Sequence, residues 1–332
     1  MVVMFHAELL NNETPCLGML RMPFYFALSG LFFKDYGGFK TILKEINKLL
    51  IPFLFFYIIS YLLFIGIRIS IGGIIDVPFF SFVNSKVMIN TALWFLLALF
   101  WSNVCFLIIY KVSTNNYILG LLSFIVGIGS MGCFNHYEIT LPLYIDSGIA
   151  AVPFFYMGYL LKSLNLLYPN SYDKYNIWYI PMLILVAVLC FYCGDKPYIG
   201  FGSLDINGNP IFFYIGAISI VIAFILICKR AGPILGLRYI GRYSLIILGV
   251  HLTIMSIISS GFRFLGINQE PEYFNIIVFL LTIMISSALI PILIKLFPQF
   301  TAQEDLITVA NIRNLFRTVQ RTGTKLIFQK TR

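Results

Sequence analysis

"VMINTALWFLLALFWSNVCFLIIY", residues 87–110, runs for 24 residues without a charge between Lys86 and Lys111. A bilayer core about 30 Å thick is crossed by roughly 20 apolar residues in a helix, so this stretch is long enough to span one. Six more uncharged runs have comparable length: Leu49–Ile67, Val112–Asn135, Tyr175–Gly194, Ile206–Cys228, Tyr243–Phe262 and Tyr273–Ile294. Ser147–Leu161 is shorter, and the opening stretch from about Cys16 to Phe33 spans only if Arg21 is accommodated. Hydrophobic residues make up 59% of the 332-residue chain and charged residues 11%, against about 45–50% and about 25% in soluble domains. The alternating apolar and polar strands of a lipid-facing barrel are absent from the sequence. The expected fold class is all-α, a polytopic integral membrane bundle of about ten transmembrane helices.

The chain opens on "MVVMFHA", apolar but too short to cross a membrane. Neither a charged leader nor a small-residue cleavage site follows, which excludes a signal peptide. The expectation is that Met1 lies inside a first helix whose beginning is missing from this chain, so the first of the ten is truncated.

Lysine and arginine sort the loops into two sets. One set holds Lys34, Lys40, Lys44, Lys48, Lys111, Lys162, Lys174, Lys229, Arg230, Arg238 and Arg242, and the tail adds seven more from Lys295 to Arg332. The alternate loops hold only Arg68, Lys86, Lys196 and Arg263, so the division is eighteen against four. The basic set is expected in the cytoplasm, with both termini of the intact protein inside. Positive-inside bias thus accounts for the net charge of +9 without a nucleic-acid partner. Residues 1–298 read as the transmembrane domain and 299–332 as a basic cytoplasmic tail. In that tail Leu306, Val309, Ile312, Phe316 and Val319 recur at helical spacing while Arg313, Arg317 and Arg321 repeat every four residues. The pattern suits a short amphipathic helix on anionic membrane lipids, or a solvated basic tail.

Ionisable groups inside a span are expensive and mark candidate functional positions. Three stand out: His6, Arg21 and His251. An imidazole titrates near neutrality and can accept a hydroxyl proton. Glu8, two residues on from His6, would orient it. Arg21 heads "RMPFYFALSGLFFK" (residues 21–34), and Ser29-Gly30 breaks the same aromatic run, either as a helix-packing device or as part of a site. His251 lies mid-helix in "SLIILGVHLTIM", where packing and proton relay both remain open. Cys190 and Cys193 form a C-x-x-C without the second pair or histidines of a zinc site, so no metal is expected; the pair suits a labile disulfide outside the membrane or, like the other four cysteines, small buried thiols. No G-x-S-x-G elbow is present.

Several stretches together resemble the membrane acyltransferase 3 family, which includes O-acetyltransferases of surface polysaccharides. "MVVMFHA" is similar to the end of the family's first helix, with His6 at its essential histidine. "RMPFYFALSGLFFK" resembles its Met-Pro-aromatic-Ser-Gly second helix, and "ALWFLLALF" (residues 92–100) its Leu-Trp-Phe-Leu segment. "LRYIGRYSLIILGVH" (residues 237–251) resembles the late Gly-x-x-Ser motif followed by a histidine, and "AVPFFYMGYLL" (residues 151–161) is a looser match. The likeness covers residues 1 to about 300, and the aromatic second helix is most similar to the fucose 4-O-acetylase-related branch. At the family's cytoplasmic Arg-x-x-Arg this chain has "KEINKLLIP", with Lys48 at the second arginine, Glu45 at the first and Lys44 beside it.

The resemblance implies an enzyme that moves an acetyl or other short acyl group from cytoplasmic acetyl-CoA to a hydroxyl of a cell-surface carbohydrate or lipid-linked glycan. Lys34, Lys44, Lys48 and Arg242 would then meet the phosphates of coenzyme A. His6 would act as general base or acyl carrier, and Glu8, Arg21, Ser29 and His251 would complete the site. The location it implies is the bacterial cytoplasmic membrane. The competing readings are a multi-pass small-solute transporter, in which Arg21 binds an anion, and an inactive truncated copy.

Overall fold

The computed structural model describes residues 2–9, 15–70, 77–84, 87–163, 176–266 and 272–311. It is a helical membrane bundle. The first two helices are α1 (Val2–His6) and α2 (Pro15–Leu31). Next, α3 (Gly38–Glu45) runs through a π-helical turn, Ile46–Leu50, into α4 (Ile51–Ser70). A short α5 (Ser81–Asn84) precedes α6 (Trp94–Val112), which starts from a 3₁₀ turn, and then α7 (Asn116–His136). The middle of the chain holds α8 (Ile145–Ala150), α9 (Val152–Ser163) and α10 (Asn176–Cys193). After a two-stranded hairpin, β1 (Tyr198–Gly200) and β2 (Asp205–Asn207), come α11 (Pro210–Ala231), α12 (Leu235–Arg242), α13 (Ser244–Phe264) and α14 (Glu272–Leu296).

Among the described residues six helical stretches are long and apolar enough to cross a membrane, and two shorter ones are Cys16–Leu31 and Trp178–Cys193. Ser147–Leu161, read as one short span, is broken at Ala151, which is a turn between α8 and α9. The left-handed backbone of Leu143 and Tyr144 (φ 54° and 58°) sets the entry to α8. Two expected boundaries move because a polar cap stops the helix short. Asn115 Oδ1 accepts Tyr117 N–H at 2.9 Å, so α7 starts past Val112. Asn209 accepts Ile211 N–H at 2.9 Å with Pro210 at the first helical position, so α11 starts past Ile206. Ile206 and Asn207, expected to begin that span, lie in β2 instead.

α2 and α9 pack backbone to backbone. A Cβ built on Gly30 would lie 1.8 Å from Phe155 O, and one on Gly158 would lie 1.8 Å from Ala27 O. Lipid tails are as apolar as leucine, so helices in a bilayer associate through such close van der Waals contact rather than through hydrophobic expulsion. Polar ties add to it. Asn90, buried at the start of the turn into α6, donates to Ser60 Oγ (3.0 Å) and to Gly249 O (2.8 Å), joining α4 and α13.

At the basic end, Lys111 pairs with Asp35 and Lys162 donates to Phe33 O at 2.8 Å. The Lys111 ammonium holds the Asp35 carboxyl below its usual range, helped by Gly37 N–H and the Thr41 hydroxyl. This pair is therefore intact at neutral pH and weakens only as pH falls below the ordinary carboxylate range. The segment after α14 folds back here: Asn47 Nδ2 donates to Ile307 O (2.9 Å) and its Oδ1 accepts from Ile307 N (2.8 Å). Phe300 stacks on Phe55 at 5.1 Å. Most of the expected amphipathic tail helix lies outside the described residues.

The cysteines differ from expectation. All six are free thiols, but only Cys190 is buried, and Cys16, Cys133, Cys193 and Cys228 are exposed because they lie on outward faces or ends of their helices.

Gly158→Leu is predicted to disrupt the α2–α9 contact, at a cost of about 1–3 kcal/mol or more. Gly129→Ala, where a Cβ meets nothing within 4 Å, should be neutral. Thermal unfolding of the detergent-solubilised variants measures the difference.

Candidate active site

Three helices bring the ionisable residues of the spans together. α1 carries His6, α2 carries Arg21 and α13 carries His251. The two imidazole rings lie 5.3 Å apart, centre to centre, tilted by 47°. Phe5 packs edge-on against the His6 ring at 5.4 Å, and the Arg21 guanidinium stacks on the Phe5 ring at 3.4 Å. This cation–π contact holds the charge within electrostatic reach of His6.

His251 is fully buried. Its Nδ1 lies 3.0 Å from both Ile247 O and Leu248 O on the preceding turn of α13. Its Nε2 is buried and has no partner, and the Nε of Arg21 is in the same condition. A buried donor or acceptor left unmade costs about 1–3 kcal/mol, so such groups gather where a ligand will satisfy them. The site therefore holds one orphaned donor and one orphaned acceptor beside a half-buried imidazole.

The β1–β2 hairpin closes the far side. Tyr198 packs on α2 so tightly that a Cβ on Gly18 would meet its ring at 2.9 Å, and its hydroxyl lies within electrostatic reach of Arg21. The other end of the hairpin, with Asn135 and Glu138, lines an open cavity of about 160 Å³. That cavity shares no lining residue with the histidine pair.

The remaining expected site residues lie elsewhere. Glu8 is exposed in a left-handed turn (φ 56°) past α1, so it does not sit against the His6 ring as an orienting carboxylate. Ser29 is eight residues beyond Arg21, about 12 Å of helix rise, and accepts from Asn103 Nδ2 at 3.3 Å. With Gly30 under Phe155, the Ser29-Gly30 pair packs α2 against α6 and α9.

At the basic end Lys34 is exposed. Lys44 Nζ lies 4.0 Å over the Tyr36 ring, and Lys48 reaches Glu45 at 3.9 Å. Arg242 stacks 5.4 Å over Tyr243 at the end of α12, a helix with no buried residue. Lys48 lies within the π-helical turn and Lys44 just before it, in a deformation frequent at functional sites. No cluster of three or more metal-ligating side chains occurs among the described residues.

A family model described as an acyltransferase domain matches residues 1–296, nearly the whole transmembrane region. The chain belongs to the acyltransferase 3 family. No curated protein and no solved structure matches it. Family membership makes this chain a membrane acyltransferase, and the acyltransferase-3 match takes in all three helices that meet at the histidine pair.

Phe5 and Tyr198 escaped the sequence reading, one as an ordinary apolar residue and the other inside a segment read as a loop. The signal for Tyr198 was present: "KPYIGFGSLDINGNP" (residues 196–210) is rich in Gly, Asn and Pro around two short apolar pairs, a hairpin pattern.

Burial orders the three histidines for chemical modification. His136 is exposed, His6 half-buried and His251 fully buried. Diethyl pyrocarbonate is predicted to label His136 first, His6 more slowly and His251 only after unfolding, as read by peptide mass spectrometry.

Proposed function

We propose that this acyltransferase moves an acetyl or other short acyl group from acyl-CoA on the cytoplasmic side to a hydroxyl of a cell-surface carbohydrate or its lipid-linked precursor. The observation that supports this most directly is the buried, unpartnered Nε–H of Arg21 held beside His6 by the Phe5 ring. A fixed donor of this kind in a water-poor site is worth most where negative charge develops during reaction.

In this reading a nitrogen of His6 takes the proton of the acceptor hydroxyl as the oxygen bonds to the thioester carbonyl carbon. The resulting oxyanion lies against the Arg21 guanidinium. When the C–S bond breaks, His6 gives the proton to the departing thiolate. The products are the ester and free coenzyme A, with the histidine restored. The other form of the proposal has His6 carry the acyl group between the two sides. Acyl-CoA approaches from the basic end, where Lys34, Lys44, Lys48 and Arg242 offer positive charge to its phosphates. Both termini of the intact protein are cytoplasmic in this orientation, and the membrane is the bacterial cytoplasmic one.

The test follows thiol release from acetyl-CoA by the protein in nanodiscs, with a panel of glycosides as acceptors. His6→Ala is predicted to lower kcat by about 10²–10⁴-fold and Arg21→Ala by about 10²–10³-fold. Thiol release unchanged by His6→Ala would sink the assigned role. The double substitution Lys44→Ala and Lys48→Ala should raise KM for acetyl-CoA about tenfold with little change in kcat, since it removes binding shared by ground and transition states. A fall in kcat at constant KM would place these lysines elsewhere in the reaction.

A further inference from the structure

His251 has no part in the scheme above, yet it is the most completely enclosed ionisable group at the site. Its environment determines its tautomer. Nδ1 lies 3.0 Å from two backbone carbonyl oxygens, Ile247 O and Leu248 O, and a carbonyl can only accept. In the neutral ring Nδ1 must therefore carry the hydrogen, which leaves the lone pair on Nε2. That nitrogen is buried and without a partner. The aromatic ring in contact with His251 is that of His6, 5.3 Å away between centres. Two imidazoles joined by an N–H···N bond of about 3 Å sit at about this spacing, and the His6 ring is only half-buried.

We propose that His251 is a positioning residue for His6, accepting its ring N–H on Nε2. The role is the one a carboxylate fills in a Ser-His-Asp triad. Here the expected carboxylate, Glu8, is exposed and turned away in a left-handed turn, and an imidazole stands in its place. With one His6 nitrogen donating to His251, the lone pair of the other is presented to the acceptor hydroxyl. As that nitrogen gains the hydroxyl proton, the N–H on the opposite side strengthens its bond to His251 and the positive charge is shared across two rings. No proton leaves the pair at this stage. The proton that enters is the one later returned to the thiolate. The catalytic meaning of the bond rests on the proposed role of His6 as base, whereas the bond itself is a matter of geometry.

Histidine side-chain nitrogen NMR on protein in nanodiscs tests this, because the chain has only three histidines, His6, His136 and His251. His136→Gln removes the exposed one and assigns the remaining signals. The expected spectrum shows His251 protonated on Nδ1, with Nε2 shifted as a hydrogen-bond acceptor, and His6 as a single tautomer. In His251→Phe the His6 signals should become a tautomer mixture, and kcat should fall roughly 100-fold. In His251→Gln, whose amide oxygen can still accept, kcat should recover to within about tenfold of the unsubstituted protein. A purely structural role for His251 would make Phe and Gln equally damaging and leave the His6 tautomer unchanged. A wild-type His251 protonated on Nε2, or a His6 spectrum indifferent to His251→Phe, overturns the proposal whatever the turnover. Thiol release indifferent to His6→Ala overturns the acyl-transfer role of His6 instead, and leaves the spectra as they are.

Discussion

Two carbonyl oxygens, Ala27 O and Phe155 O, face glycines on the neighbouring helix with no room for a Cβ. That contact locks α2 against α9, and α2 carries Arg21 on the turn just beyond Gly18, where the Tyr198 ring closes on it. Helix association in a bilayer depends on close packing, since burying leucine against leucine rather than against lipid gains little. The position of the guanidinium is thus set by small residues along one helix. A larger side chain at Gly30 or Gly158 would displace the charge along with the helix.

The second constraint is the expense of polar groups in hydrocarbon. Most of those inside this bundle are satisfied locally. Ser102 donates to Gly148 O at 2.6 Å, and the Tyr214 hydroxyl donates to Ala150 O at 2.7 Å. The Arg21 Nε–H and the His251 Nε2 are exceptions among the described residues, and both flank His6. Asn90 Oδ1 and the hydroxyls of Ser123, Thr282 and Ser286 are also buried without partners, but none of these side chains is ionisable. An unmet donor and an unmet acceptor on either side of one imidazole form an arrangement suited to a reaction in which charge appears and a proton moves.

Much of the bundle was legible in the sequence because its signals are long and one-dimensional. Uncharged runs mark spans, and loop lysines and arginines mark one end. His6, Arg21 and His251 were legible too, for a charge or imidazole in a span stands out against aliphatic neighbours. Proximity in sequence misled where the backbone turned. Glu8 is two residues from His6 but lies past a left-handed turn, while His251 is 245 residues away and touches the ring. Ser29-Gly30 was ambiguous because a small pair can pack or line a site, and only the structure shows Phe155 O closed against Gly30. The break at Ala151 and the tie from Asn47 to Ile307 depend on tertiary contacts that no local pattern encodes.

The central claim is that His6 and Arg21 act on one reacting centre, and a double-mutant cycle on thiol release tests it most directly. Residues that serve a single step are strongly non-additive. The account predicts that His6→Ala combined with Arg21→Ala will be no slower than the slower single variant. Losses that simply multiply would contradict it and place Arg21 in a separate role.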